Sequence, residues 1–192
     1  SLNEKVKAVK VEGVEATAEN VSNGTYKIAR PFNIAFKADG QSDLSKDFIA
    51  YIMSAEGQTI INEHGYVGSN DAAAYEANGA EGKLVIGGSS SVSPIMEKLI
   101  EAYKAVNPKA DIELQTTDST TGMTAAIDGT YDIGMASREL KDDEAAALSH
   151  QAIAMDGIAV IVNQANPTDE LSVEQIGSIF TGELTKWSEI VK

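Results

Sequence analysis

Three short apolar runs in this chain each end in a knot of hydroxyl residues that opens a helix-like segment: 84–94 (LVIGGSSSVSP), 112–123 (IELQTTDSTTGM) and 131–141 (YDIGMASRELK). Serine and threonine hydroxyls both donate and accept, and the first turn of a helix presents backbone N–H groups at the positive end of the helix dipole. Together they can hold an oxyanion without any lysine. One such knot is ordinary loop chemistry, because helix caps and turns use the same residues. Three at successive strand ends point to a single site, since a parallel sheet gathers its strand ends along one edge.

Composition narrows what such a site can serve. Acidic residues outnumber basic ones 29 to 15, a formal charge of -14. That balance repels nucleic acid and anionic membranes and gives a small anion no long-range steering, so local dipoles must hold it. Cysteine is absent, which excludes disulfides and thiolate metal sites and leaves the redox compartment open. The only histidines, His64 and His150, stand in no triad-like or zinc-ligand context, and no Gly-x-Ser-x-Gly elbow surrounds Ser90. The expectation is therefore a binding protein rather than an enzyme, without metal or cofactor. No apolar run reaches the ~20 residues that span a bilayer, and no signal peptide is present. The first residue is Ser1 rather than Met, from which we expect a processed or trimmed product.

The elements that must position the knots alternate between strand and helix patterns. Residues 6–11 read as a strand, 17–22 as a short helix closed near Gly24, 32–36 as a strand, and 43–63 as one long helix with Leu44, Phe48, Ile52, Ile60 and Ile61 near one face. Residues 68–82 (GSNDAAAYEANGAEG) are small, polar and aperiodic, which predicts a linker running over the surface. Beyond it come a strand at 84–86, a helix at 94–106 capped by Ser93, a strand at 111–114, a helix at 120–127 ended by Gly129, and a strand at 131–135. A helix at 141–148, a long apolar strand at 152–162 and a helix at 173–180 follow. Strand, helix, strand in this rhythm argues a parallel α/β sheet with right-handed crossovers.

These residues carry a family resemblance. Residues 83–190 resemble the N-terminal half of the phosphate-binding proteins of bacterial ABC transporters, the PstS-like receptors, through GGSSSVSPIMEKLIEAY, IDGTYDIGMASRELKDDE, MDGIAVIVN and IFTGELTKWSEI. Residues 2–67 resemble the C-terminal end of the same proteins, through VKAVKVEGVEATAENVSNGTYKIARPFNIAFK and LSKDFIAYIMSAEGQTIINEHGYV. The order is reversed, which is how a circular permutation reads, and chain termini close together at a domain surface make such a joining easy.

The resemblance implies a periplasmic-binding-protein-like fold of type II: a mainly parallel central sheet flanked by helices, plus margins of a second lobe. Lobe one spans 29–163 with the linker 68–82 inside it, and 1–28 with 164–192 form partial lobe two. The family's Ser-Gly-Thr-Arg loop in the middle of lobe two has no counterpart in this sequence, so we expect that segment to precede Ser1. The 192 residues alone are then expected to bind phosphate weakly or undetectably. The implied function is an extracytoplasmic solute-binding protein, lipid-anchored at the cell surface or periplasmic, that encloses inorganic phosphate by hinge closure near Ala29, Arg30, Val162 and Asn163. It would deliver phosphate to an ABC permease. The alternative is an interaction or sensory protein using the same fold for another oxyanion or for surface display.

Carried over residue by residue, the resemblance makes Ser90 and Ser91 first-loop donors of backbone N–H and hydroxyl, Ser119 the second-loop hydroxyl and Ser137 the third-loop serine. Several family members place an aspartate where this chain has Arg138, which is either an added charge-assisted donor or a surface partner of Glu139 or Asp142. Without that carboxylate, discrimination of phosphate from sulfate is less fixed, because a hydroxyl accepts a ligand proton without charge. Asp118 and Asp156 are candidate replacements, each with a turn or strand role as the plainer reading. His64 reads as a helix end, His150 as surface, and Phe180 and Trp187 as packing anchors of lobe two.

Overall fold

A computed structural model describes residues 4–190; the outermost residues assigned to partial lobe two, 1–3 and 191–192, lie outside the described residues. The chain forms two compact units, Arg30–Met155 and a second made by the chain up to Ala29 together with that from Asp156 onward.

In the second unit, the expected strand at 6–11 is two strands, β1 (Val6–Ala8) and β2 (Lys10–Val11), followed by α1 (Ala18–Ser22). The break falls at buried Val9, whose N–H turns to Val160 O at 2.9 Å as the chain changes partners. The helix is capped by the Thr17 hydroxyl, which accepts from Asn20 N.

The first unit begins with β3 (Ala29–Phe36) and continues with α2 (Asp43–Met53) and α3 (Ala55–Glu63). The single long helix expected at 43–63 is thus interrupted at Ser54. Its hydroxyl donates to Tyr51 O at 2.7 Å and accepts Gly57 N at 3.3 Å, closing one helix and capping the next. His64 ends α3, its Nδ1 donating to Ile60 O at 2.8 Å. Next come β4 (Gly82–Ser89), α4 (Ser93–Val106), β5 (Ala110–Thr117), α5 (Ser119–Asp128), β6 (Ile133–Ala136), α6 (Asp142–Ala147) and β7 (Ser149–Gly157). Returning to the second unit, β8 (Ile161–Asn163), β9 (Glu170–Leu171) and α7 (Val173–Thr181) complete the order before a short 3-10 turn at Trp187–Glu189.

The five-stranded sheet has the order β5-β4-β6-β3-β7, with β4 parallel to both β5 and β6 and β3 antiparallel to β6. Period-two alternation sorts its faces. Ile34, Leu84, Ile86, Ile133 and Met135 meet Leu44, Phe48 and Ile52 of α2 and Met96, Leu99 and Tyr103 of α4 in the main core. The small residues Ala35 and Ala136 join Met123 and Ala126 of α5 in a separate cluster. Small residues let α5 lie almost on the strands: a β-carbon at Gly122 would run into Gly88 Cα, Met135 O and Gly87 O. Gly88 itself needs a φ of 136°, a conformation that favours glycine.

Residues 69–81 contain no helix or strand, yet they do not float as a surface linker. The Tyr75 ring stands edge-on to Tyr51 at 5.1 Å, and its hydroxyl donates to Asp47 Oδ2 at 2.7 Å. Tyr103 OH donates to the same buried oxygen at 2.6 Å. Asn107 Nδ2 holds Ala80 O at 2.7 Å, and Gln58 Oε1 receives Ser69 N at 2.7 Å.

In the second unit, β1 pairs antiparallel with β8, β2 pairs parallel with β9, and Val9, Val162 and Leu171 form a small core. The long strand expected at 152–162 breaks between β7 and β8, because Ile158 N donates to Ile28 O and Ile158 O receives the Tyr26 hydroxyl. Phe180 and Trp187 are 84% and 42% exposed and border an open apolar groove with Ile158, Ile161 and Ile179, so neither packs as an anchor among the described residues. Among those residues no helix is long and apolar enough to cross a membrane.

Candidate functional site

The parallel strands β5, β4 and β6 are sheet neighbours, so the loops leaving their C-terminal ends lie side by side. The three hydroxyl knots therefore share one edge, and specific bonds tie them together.

The first loop follows β4, with Ser89 opposite Thr117 of β5. Ser90 is exposed and Ser91 half-buried. Ser90 N donates to Thr117 O at 3.2 Å, which fastens the first loop to the second and commits the backbone donor expected to meet an anion. What Ser90 retains is its hydroxyl. Ser93 is not the cap of α4 but its first residue, buried, with its hydroxyl donating to Ser89 O and accepting from Thr116 Oγ1 at 2.8 Å. The cap position is Val92, which has no side-chain acceptor, so the first turn of α4 has no internal anion substitute.

The second loop is capped from within. Asp118 accepts Thr120 N and Thr121 N at 2.9 and 3.0 Å and the Thr121 hydroxyl at 2.6 Å. These bonds, the Thr121 hydroxyl foremost, hold its carboxyl below the usual aspartate range. Asp118 is thus the helix cap, and a fixed negative charge at that helix start opposes a second anion there. The second loop's contribution to the cluster is Ser119. Its Oγ accepts the backbone N–H of Ser137 at 3.2 Å, which joins the second loop to the third and leaves the Ser119 proton for another acceptor.

The third loop is braced on several sides. Asn33 Nδ2, buried on β3, donates to Arg138 O at 2.9 Å. Arg138 pairs with neither the Glu139 nor the Asp142 carboxylate. Its two Nη atoms grip buried Glu144 at 2.7 and 2.8 Å, Nη1 also donates to Glu139 O, and Nη2 lies 3.5 Å from Thr120 Oγ1. The Arg138 hydrogen bonds hold the Glu144 carboxyl below its ordinary range, and Glu144 Oε2 also receives Lys141 N at 2.9 Å. Arg138 is accordingly bound into the loop's own scaffold.

Sequence reading missed Arg30. It stands near the start of β3, and its Nη1 reaches Ser137 Oγ at 3.4 Å. An arginine among apolar strand residues was the available signal. Of the expected site residues, Ser119 and Ser137 are in direct contact, and Ser90 is tied to the second loop through Thr117. Ser91 shares the first loop. Asp156 belongs to the other compact unit. Among the described residues no cluster of three or more His, Asp or Glu side chains is arranged to hold a metal.

Residues 73–191 match the family model of a PBP superfamily domain. The phosphate-binding protein PstS 2 of Streptococcus agalactiae serotype V is 50% identical over 193 residues, covering 100% of this chain and 66% of the relative. The chain thus spans just under two thirds of that relative. The crystal structure of a phosphate ABC transporter phosphate-binding protein from Streptococcus pneumoniae TIGR4 is similar with a TM-score of 0.92 and 41% identity, covering 100% of this chain and 74% of that one. A phosphate ABC transporter substrate-binding protein with bound phosphate from Clostridium perfringens is 43% identical with a TM-score of 0.53, covering 57% of this chain and 45% of that one. The chain belongs to the PBP superfamily, as a member of its PstS-like phosphate-binding protein family.

Proposed function

We propose that this chain belongs to an extracytoplasmic solute-binding protein that takes inorganic phosphate for an ABC permease, and that Ser90, Ser91, Ser119 and Ser137 hold the anion. The observation that carries the reading is the Ser119 Oγ to Ser137 N bond, which locks two hydroxyl knots together with Arg30 against the second serine. Small polar donors beside a guanidinium suit a compact oxyanion. Names of the relatives from two streptococci and the phosphate in the Clostridium perfringens structure support the same class of ligand. Arg138, engaged with Glu144, serves the loop rather than the ligand.

The same reading includes a circular permutation, with lobe one at 29–163 and partial lobe two at 1–28 and 164–192. Its support is the order of the two family-like segments, with 2–67, which resembles the family's C-terminal end, standing before 83–190, which resembles its N-terminal half. A lipid anchor at the cell surface belongs to the reading as well, and detergent phase partitioning of the intact gene product tests it.

Calorimetry and thermal shift on the intact gene product decide the ligand. Phosphate should bind and raise the melting temperature while sulfate leaves both unchanged. Equal responses would move the assignment to another oxyanion, in keeping with the missing third-loop carboxylate. No response to either would favour an interaction or sensory role.

A further inference from the structure

Ser90 is exposed and Ser91 half-buried, so neither is held in place by a packed core. A loop that wandered would have to be ordered when an anion arrived, at the expense of affinity. The bonds beneath these two serines therefore decide how well they can serve a ligand.

Two sets of bonds hold the first loop. Ser89 O, at the end of β4, accepts Val92 N at 3.0 Å and the Ser93 hydroxyl at 3.3 Å, which draws 89–93 into a turn with Ser90 and Ser91 at its centre. The parallel register sets Gly88 opposite Thr116 and Ser89 opposite Thr117, so the last two residues of β5 lie beside that turn. Both take hold of it. Thr117 O accepts Ser90 N at 3.2 Å, and Thr116 Oγ1 donates to Ser93 Oγ at 2.8 Å. One bond grips the near end of the turn and the other its far end.

A serine at a helix start usually accepts a first-turn N–H as a cap. Ser93 is instead the first residue of α4, 4% exposed, and its hydroxyl turns back to the strands. From this arrangement we infer that Ser93 and Thr116 are positioning residues of the site: the relay from Thr116 to Ser93 to Ser89 O fixes the turn that presents Ser90 and Ser91 to the anion. Neither touches the ligand, since each hydroxyl proton is already committed within the relay. Nor does folding depend heavily on the relay. Ser89 O keeps its bond from Val92 N, and Thr116 is exposed, so water can replace its lost partner. Its removal therefore falls on binding.

Because this role rests on the phosphate reading, inorganic phosphate is first titrated calorimetrically into the intact wild-type gene product, and absence of binding removes both. Thr116→Val and Ser93→Ala should each weaken phosphate binding about 3- to 10-fold, with the melting temperature of the ligand-free protein nearly unchanged. Thr116→Ser keeps the donor and should bind like the wild type. The double variant should bind no more weakly than the weaker single variant, since both substitutions break one relay. Amide hydrogen exchange of the ligand-free variants should quicken at Ser90 and Val92 while the interior of α4 keeps its protection. A merely structural pair would lower the melting temperature and loosen α4 together with the loop, and that result overturns the inference. Single-variant losses below about threefold, or additive losses in the double variant, overturn it too and leave the phosphate reading intact. If Ser93→Ala folds poorly, the contrast between Thr116→Val and Thr116→Ser, at an exposed position, carries the test.

Discussion

The hydroxyl of Ser119 accepts the backbone N–H of Ser137 at 3.2 Å, so the first residue of α5 and the residue after β6 meet across the end of β4. They are 18 positions apart, and the crossover helix between them brings them together. A hydroxyl used in this way closes the third loop and keeps its own proton for another acceptor.

Replacing Ser119 by alanine is predicted to leave the part-buried Ser137 amide without its acceptor. The net loss should be about 0.5–1.5 kcal/mol in urea unfolding, together with roughly tenfold weaker phosphate binding by the intact gene product. Ser119→Thr should retain most of both. Unchanged stability and affinity in the alanine variant would remove Ser119 from the site.

Gly122 and Gly177 make a paired prediction, because both lie inside helices and only one is crowded. A β-carbon on Gly122 meets backbone atoms of Gly87, Gly88 and Met135, none of which can swing aside, whereas Gly177 of α7 has nothing within 4 Å. Gly122→Ala should therefore destabilise by about 1–3 kcal/mol through overpacking. Gly177→Ala should stabilise by about 0.5–1 kcal/mol, since alanine loses less backbone entropy in a helix. Equal effects in thermal unfolding would mean that α5 does not press on the sheet as described.

What the sequence made legible was local. The alternation of strand and helix placed the three knots at neighbouring strand ends, and Gly129, left-handed at φ 86°, stopped α5 where its position predicted. The break at Ser54 was hidden because Phe48, Ile52 and Ile61 keep to the buried side through the one-residue interruption. Arg30 was hidden for a different reason. Its partner Ser137 is 107 residues away, and nothing in either segment specifies the antiparallel register that brings them together. Glu144 resembled one more solvated acid beside Asp142 and Asp143, and only the fold reveals it as the buried anchor of Arg138.

The connection at 68–82 leads to a prediction at high pH. Tyr75 and Tyr103 both donate to Asp47 Oδ2, and burial followed by that hydrogen bond raises both phenols, Tyr103 to about 12. In the unfolded chain both ionise near the ordinary tyrosine value of about 10. Above that pH the folded state holds protons that the unfolded state has released, so stability is complete below about 10 and declines as pH rises toward the folded values. Tyr75→Phe removes one of the two retained protons and should make the decline shallower in urea unfolding measured across the alkaline range. Asp47→Asn weakens both bonds at once, and the expected consequence near neutrality is faster proteolytic cleavage within 68–82, since Tyr75 and Asn78 lose their shared anchor. If the alkaline slope is the same in Tyr75→Phe as in the wild type, and 68–82 stays protected in Asp47→Asn, the connection is held by its other contacts, chiefly Ser69 N to Gln58 Oε1 and Asn107 Nδ2 to Ala80 O.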